Sequence, residues 1–86
     1  MKIIQRYKEL KEEYPNSVIL FRKNHTYEAY EDDALTCAKE LKVPVIVNRI
    51  IGSENYEIKS ISFSHDELYV NLLKLLRAEH RIAFAQ

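Results

Sequence analysis

Residues 22–25 form a cationic polar turn that could contact nucleic acid. The turn reads Arg22, Lys23, Asn24 and His25. Two cations beside a polar turn can bind phosphate oxygens and so position a protein on a duplex without reading its sequence. The same residues also fit a solvated hairpin tip. The sequence alone favours that second interpretation, because two charges give little affinity at physiological salt.

The other residues that could act in catalysis or bind a metal do not form a recognisable motif. His25, His65 and His80 lie far apart, without the i,i+4 pair or the Cys-x-x-Cys spacing typical of zinc sites. Cys37 is the single cysteine, so it has no internal disulfide partner, and a buried helical position is predicted for it. No glycine-bearing nucleophile elbow accompanies it. We therefore expect no enzyme activity, no cofactor and no metal.

The acidic run Glu31, Asp32 and Asp33 has two interpretations. Clustered carboxylates could hold a cation. Three acids in the first turn of a helix also interact favourably with the helix dipole, and Lys39 and Lys42 near the end of the same predicted helix complete that pattern. Carboxylates at a helix start are the simpler explanation.

The composition is typical of one small globular domain over residues 1–86. The chain is 47% hydrophobic and 30% charged. Its 13 basic and 13 acidic side chains cancel, whereas a protein that binds DNA tightly on its own usually carries a basic excess. A local basic patch is still compatible with this balance. No stretch approaches the roughly 20 apolar residues of a membrane span, and no secretory apolar region begins the chain, so we expect a cytoplasmic protein.

The first third of the chain predicts a helix and two strands. The apolar face of the helix carries Ile3, Tyr7, Leu10 and Tyr14. Pro15 disfavours helical geometry at the residue before it and so ends this helix. Residues 18–21 form a continuous apolar run, which predicts a central strand buried on both faces. Residues 26–30 alternate in polarity and predict its antiparallel partner.

The middle of the chain predicts a second helix and a hairpin. The helix runs from Glu31 to Leu41. Its apolar face carries Ala34, Cys37, Ala38 and Leu41. Residues 43–47 are expected to be extended, and Pro44 excludes a fully paired central position. Gly52 marks a hairpin turn within residues 50–55, and the return strand is expected to be broken or bulged near Ser60.

The last third predicts a capped helix and a final strand. Ser64 and Glu67 have the spacing of a capping box. The buried stripe of this third helix carries Leu68, Leu72, Leu75 and Leu76. Polar and apolar residues alternate over most of residues 80–86, which predicts a last strand. The predicted order of elements is therefore α-β-β-α-β-β-α-β.

Three blocks of the chain carry a family resemblance. Residues 5–15 read QRYKELKEEYP, residues 20–34 read LFRKNHTYEAYEDDA, and residues 63–83 read FSHDELYVNLLKLLRAEHRIA. In that order they resemble the blocks Q-Y-L-x-L-K-x-x-H-P, LFR-x-G-D-F-Y-E-x-F-x-x-D-A and V-P-Y-H-A-V-D-S-Y-L-A-R-L-I-K-A-G-Y-R-V-A of MutS domain I, a mismatch-recognition domain. Three blocks in register argue against chance similarity. The resemblance implies an α+β fold, a mixed sheet flanked by about three helices.

The resemblance also implies which residues would meet DNA. In this family the Phe of Phe-Tyr-Glu wedges into the duplex against a mispaired base, and the Glu hydrogen-bonds that base. Tyr27 and Glu28 keep their positions, but Thr26 stands in the wedge position, and threonine is too small to offset unstacking. Strand alternation turns Tyr27 away from Thr26 and towards the core. Glu28 is then expected at the surface, or paired with Arg22 or Lys23.

A second cationic group lies near the C-terminus. Lys74, Arg77 and Arg81 recur at spacings of three and four, so they can share one side of the third helix and its exit. With Lys2 and Arg6 they would make a basic strip if the first and third helices lay side by side. A helix with charges on its solvent side would have the same pattern.

The sequence leads to two hypotheses about function. The first is a noncatalytic MutS-like N-terminal domain without the mismatch wedge, which contacts double-stranded DNA weakly within a larger DNA-processing protein or complex. Its candidate DNA-binding residues are Arg22, Lys23, His25, Thr26, Glu28, Lys74, Arg77 and Arg81. The rival is a protein–protein interaction domain that kept the fold and lost DNA binding. Exposed Tyr27, Tyr30 and Tyr56 would support the rival, and a continuous positive stripe would support the first.

Overall fold

The computed structural model describes residues 2–50 and 56–86, and within them the predicted elements follow in the predicted order. These elements are α1 (Lys2–Glu13), β1 (Ser17–Arg22), β2 (Thr26–Tyr30), α2 (Glu31–Leu41), β3 (Ile46–Ile50), β4 (Tyr56–Ser64), α3 (Leu68–Arg77) and β5 (Arg81–Ala85). The α+β prediction is confirmed. The hairpin turn predicted around Gly52 lies outside the described residues. None of the described helices is long and apolar enough to cross a membrane.

The strands form one mixed sheet of five strands in the order β3-β4-β2-β1-β5. Neighbouring strands are antiparallel except for β1 and β5, which run parallel. The edges of the sheet are therefore β3 and β5. Pro44 lies just before β3, which agrees with the prediction that this segment does not take a central position.

Strand β1 divides the core into two layers. Val18 and Leu20 pack on one side with residues of α2 and α3, while Ile19 and Phe21 pack on the other side with residues of α1. We call these sides the α2/α3 face and the α1 face of the sheet. The continuous apolar run at residues 18–21 therefore forms a strand covered on both sides, as predicted.

Strand β4 serves both layers without a bulge. Its pairing with β2 and with β3 runs in unbroken register, and Ser60 has a partner in each strand. Ile58 packs on the α1 face, whereas Ile61 and Phe63 pack on the α2/α3 face. The predicted break near Ser60 is wrong. The odd spacing between Ile58 and Ile61 reflects a regular strand with apolar contacts on both sides.

Helix α1 buries a narrower stripe than its spacing predicts. Ile4 and Tyr7 are its buried residues, with Ile3 and Leu10 packed partly against the same core. Tyr14, predicted to continue the stripe, follows the helix and is 44% exposed. Because Pro15 disfavours helical geometry at Tyr14, the helix ends at Glu13 and Tyr14 does not pack against the sheet.

Helix α3 is rotated relative to the predicted stripe. Leu75 is fully buried and Leu68 and Leu72 are partly buried, but Leu76 is 54% exposed. Asn71 takes a buried position instead. Its side-chain nitrogen has no hydrogen-bond partner among the described residues. The sequence gives no indication of this placement, because a polar residue on the inner face contradicts the usual pattern.

The start of α3 also differs from the predicted capping box. The Oγ atom of Ser64 accepts a hydrogen bond from the amide of Asp66 at 3.2 Å, inside a 3-10 turn over His65–Glu67. The α-helix begins only at Leu68. Ser64 is therefore a cap, as predicted, but it caps the 3-10 turn and not the third amide of an α-helix.

The carboxylate of Asp33 connects three elements. Its Oδ1 atom accepts from Lys11 Nζ at 3.0 Å, and its Oδ2 atom accepts from the amide of Ile19 at 2.9 Å. Lys11 Nζ also donates to the carbonyl of Ser17 at 2.6 Å. Asp33 is buried, whereas Asp32 is exposed. Asp33 thus holds α1, β1 and α2 together. The sequence predicts only a favourable interaction of this carboxylate with the helix dipole.

Cys37 is a core thiol, as predicted. It is fully buried on the α2/α3 face, and burial, followed by the nearby Asp33 carboxylate, raises its pKa to about 12. We predict that the native protein resists a disulfide-exchange reagent at pH 8, because reaction requires both exposure and a thiolate. The rate should rise at least about a thousandfold in denaturant if reaction requires global unfolding. Rapid labelling of the native protein would show that this core layer opens locally.

Candidate nucleic-acid interface

The hairpin between β1 and β2 presents a cationic tip to solvent. The amide of Lys23 donates to the carbonyl of Thr26 at 2.8 Å, which closes the turn. The tip residues Arg22, Lys23, Asn24 and His25 are all exposed. Within the described residues, neither Arg22 nor Lys23 takes part in an ion pair. Two cationic groups at the tip are therefore available to an anionic ligand.

A backbone hydrogen bond attaches this tip to the turn before α3. The amide of His65 donates to the carbonyl of His25 at 2.9 Å. The His65 ring stacks on Tyr27 with ring centres 5.4 Å apart, and Tyr27 stacks on Phe63 at 5.8 Å. Tyr27 is buried, which confirms its predicted place in the core. The tip is therefore held on the sheet by the stacked rings of His65, Tyr27 and Phe63, of which Tyr27 and Phe63 belong to the hydrophobic core.

Thr26 and Glu28 lie on the α1 face, opposite Tyr27. Both are partly buried, and Tyr30 follows them on the same face in the core. At Thr26 this face presents only a methyl and a hydroxyl group, at the end of β2 nearest the tip. An aromatic ring at that position would project far more apolar surface.

Glu28 does not pair with Arg22 or Lys23 in the described contacts, so that alternative is wrong. Its Oε1 atom accepts a hydrogen bond from the Tyr30 hydroxyl. The Tyr30 ring is buried and packs edge-on against Phe21, with ring centres 5.2 Å apart. Glu28 is therefore held by a fixed neighbour, and one of its oxygen atoms is already engaged.

The Tyr30 hydroxyl stays protonated over the physiological range. Burial, and then the hydrogen bond and negative charge of Glu28, raise the pKa of this hydroxyl well above its usual value. Tyr30 stands where the quoted family block has a Phe, so the hydroxyl that engages Glu28 is a departure from that block. This contact was not predicted from the sequence, and the Tyr in place of Phe is the one signal in the sequence that could have indicated it.

The uncovered part of the α1 face forms an open groove beside Glu28. The groove has a volume of about 570 Å³. Its polar lining includes Lys23, Glu28, Asn48, Arg49, Ser60 and Ser62. Apolar residues, among them Ile3, Ile46 and Ile58, make up the rest of the lining. The groove is therefore of mixed polarity and does not by itself select a polar ligand.

A second open depression lies at the tip itself. It has a volume of about 480 Å³ and is lined by Arg22, Lys23, Asn24 and Gln86. The described lining offers cationic and amide donors and no acidic side chain. Such a surface suits a phosphate group, which accepts hydrogen bonds and carries negative charge.

The predicted basic strip does not form. Helix α1, with Lys2 and Arg6, packs on the α1 face, whereas α3, with Lys74 and Arg77, packs on the α2/α3 face. The two helices therefore lie on opposite sides of the sheet. Arg81 begins β5 and has the same strand parity as residues that pack on the α1 face, so it does not continue the row from α3.

The mixed sheet, with helices on both of its sides and a hairpin leading into Tyr27 and Glu28, is consistent with the class of MutS-type N-terminal domains. The profile of the MutS domain I family matches residues 1–86. The chain belongs to this family.

Individual relatives agree with the family assignment. The DNA mismatch repair protein MutS of Christiangramia forsetii is 36% identical over 81 residues, which cover 94% of this chain and 9% of the relative. MutS of Salinibacter ruber is 30% identical over 84 residues, covering 98% and 9%. MutS of Finegoldia magna is 31% identical over 85 residues, covering 98% and 10%. The chain thus spans about a tenth of the length of these relatives.

Proposed function

We propose that residues 1–86 form a noncatalytic domain of mismatch-repair type that contacts double-stranded DNA weakly and without preference for mismatches. It would act within a larger DNA-processing protein or complex. The observation that supports this most is the combination of membership in the MutS domain I family with Thr26 at the wedge position. The family match favours a role on DNA, and Thr26 argues against mismatch reading.

The absence of mismatch preference follows from the size of the side chain. Opening a base step costs a few kcal/mol, which an inserted apolar group offsets by stacking in place of the lost neighbour. Thr26 has no ring and is itself partly buried. Glu28 is hydrogen-bonded to Tyr30, and without a wedge there is no displaced base for it to meet. Binding would therefore depend on the DNA backbone.

The hairpin tip supplies the cations for such binding. Arg22 and Lys23 are exposed and line the same depression, with His25 beside them. Two phosphate contacts correspond to a slope of about −1.8 in a plot of log affinity against log salt concentration. Lys74, Arg77 and Arg81 lie elsewhere on the surface and would add contacts only if the duplex extends beyond the tip.

The proposal predicts a specific pattern in a fluorescence titration. We expect weak binding to a matched duplex at low salt and equal binding to the same duplex with one G·T pair. The slope of log affinity against log salt concentration should be about −2. The double variant Arg22→Ala/Lys23→Ala should lose most of this binding. Lys39→Ala, which removes an exposed cation on α2, is the matched control and should bind like the natural chain. Absence of binding to either duplex would refute the DNA role.

The rival function, protein–protein interaction, receives mixed support. Tyr27 and Tyr30 are buried, so they do not form the exposed aromatic cluster that this hypothesis predicts, and the side chain of Tyr56 lies outside the described residues. The zero net charge and the failure of the basic strip are compatible with it. We keep it as the second candidate, which the titration would favour if no duplex bound.

A further inference from the structure

Helix α3 has an apolar outer face in addition to its buried one. Tyr69 is 73% exposed, and Val70 and Leu76 are each 54% exposed. Leu73 lies between them at helical spacing and is partly buried. These four residues form what we call the outer stripe of α3. It faces away from Leu75, which is the fully buried residue of this helix.

The charges at the two ends of the outer stripe are opposite in sign. Asp66 and Glu67 are exposed in the turn before α3, and Lys74 and Arg77 are exposed in its last turn. None of these four takes part in an ion pair within the described residues. The acidic and basic ends are therefore free to meet complementary charges.

We propose that a second copy of this chain docks on the outer stripe, with the two α3 helices packed antiparallel about a two-fold axis. In an isologous contact of this kind the same patch is used by both copies, so it must complement itself. Antiparallel packing places the apolar side chains of the two stripes together. It also places Asp66 of each copy near Arg77 of the other, because the stripe is acidic at one end and basic at the other.

Three features favour a second copy as the occupant. The acidic end of one stripe meets the basic end of another only when the two helices are antiparallel. A two-fold axis gives that arrangement. The net charge of the chain is zero, so two copies do not repel each other at long range. The side chains of the stripe are apolar and include a Tyr, a residue type enriched at interfaces. The patch is one short helix long, so we expect an interface at the small end of the range, typical of transient association.

Sedimentation equilibrium across about 10 µM to 1 mM, the range of weak complexes, is the test. The weight-average mass should rise from 10.2 kDa towards twice that value as concentration increases. Tyr69→Asp should weaken association at least about tenfold, because it places a charge in the apolar contact. Ile46→Asp is the matched control: Ile46 is also about half exposed, but it lines the groove on the opposite, α1 face of the sheet.

A charge exchange tests the antiparallel arrangement. Asp66→Lys and Arg77→Glu should each weaken association, and the double variant should restore it, because each exchanged pair is again opposite in sign. Circular dichroism melting establishes that every variant is folded. A monomer at all concentrations would overturn the proposal. So would association that Tyr69→Asp leaves intact, that Ile46→Asp removes, or that the double exchange fails to restore.

Discussion

Replacing Asp33 with alanine is expected to lower the free energy of unfolding by about 3 kcal/mol. The change leaves the buried amide of Ile19 without an acceptor, which alone costs about 1–3 kcal/mol. It also removes the anionic partner of Lys11, whose ammonium group would keep only the Ser17 carbonyl. Small domains commonly have about 5 kcal/mol of stability, so the variant would be close to unfolding at room temperature.

Urea denaturation of matched variants checks this expectation. Asp32→Ala removes an exposed carboxylate from the same helical turn and should change stability by no more than about 0.5 kcal/mol. Asp33→Asn keeps an acceptor for the Ile19 amide but loses the charge. Its loss of stability should therefore lie between those of Asp33→Ala and Asp32→Ala. If Asp33→Ala were no more harmful than Asp32→Ala, the carboxylate would not connect α1, β1 and α2 in solution.

Leu75→Ala is expected to be equally damaging, with a loss of about 2–5 kcal/mol. Leu75 is fully buried in the α2/α3-face core, alongside Ile61 and Phe63. Truncation removes buried apolar contacts and leaves a cavity that the sheet and two helices can close only in part. The adjacent Leu76→Ala should cost no more than about 0.5 kcal/mol, since Leu76 faces outwards.

The difference between these neighbouring leucines tests the rotation of α3. The sequence assigns both Leu75 and Leu76 to one buried stripe and would predict losses of similar size. Chemical denaturation should instead separate them by at least about 2 kcal/mol. Equal losses, measured at low concentration where copies do not associate, would mean that α3 is rotated in solution from the orientation that buries Leu75 and exposes Leu76.

Much of the fold could be predicted from the sequence because its local patterns agree with each other. Helix α2 has the predicted bounds, Glu31 to Leu41, since an acidic start and an apolar face at residues 34, 37, 38 and 41 indicate the same element. The run at residues 18–21 likewise predicts a strand with two covered sides. The mixed sheet came from the family resemblance and is confirmed.

The errors arise where the sequence pattern does not specify which face of an element is buried or on which side of the sheet it packs. Periodicity in α3 allows two apolar stripes, and only the packed structure shows that Leu75 is inside and Leu76 outside. The basic strip fails for the same reason. Spacing places Lys74 and Arg77 on one helix, but it does not say on which side of the sheet that helix packs relative to α1. The apparent break in β4 came from assuming that only one side of the strand is covered.

The candidate site was predictable in position but not in its contacts. Strand alternation correctly separates Thr26 and Glu28 from Tyr27. The partner of Glu28 was missed because a hydrogen bond between residues two apart on one strand face depends on side-chain geometry that spacing does not specify. The role of Asp33 was missed because its partners, Lys11 and Ile19, are distant in sequence.

The most direct test of the central claim compares the natural chain with Thr26→Phe on two duplexes that differ by one G·T pair. We expect the natural chain to bind both duplexes equally. Thr26→Phe restores a ring at the wedge position and should favour the G·T duplex by about fivefold or more, given the energy of aromatic stacking on a base. If the natural chain already preferred the mismatched duplex by such a factor, mismatch reading would not depend on the residue at position 26, and the proposed function would be wrong.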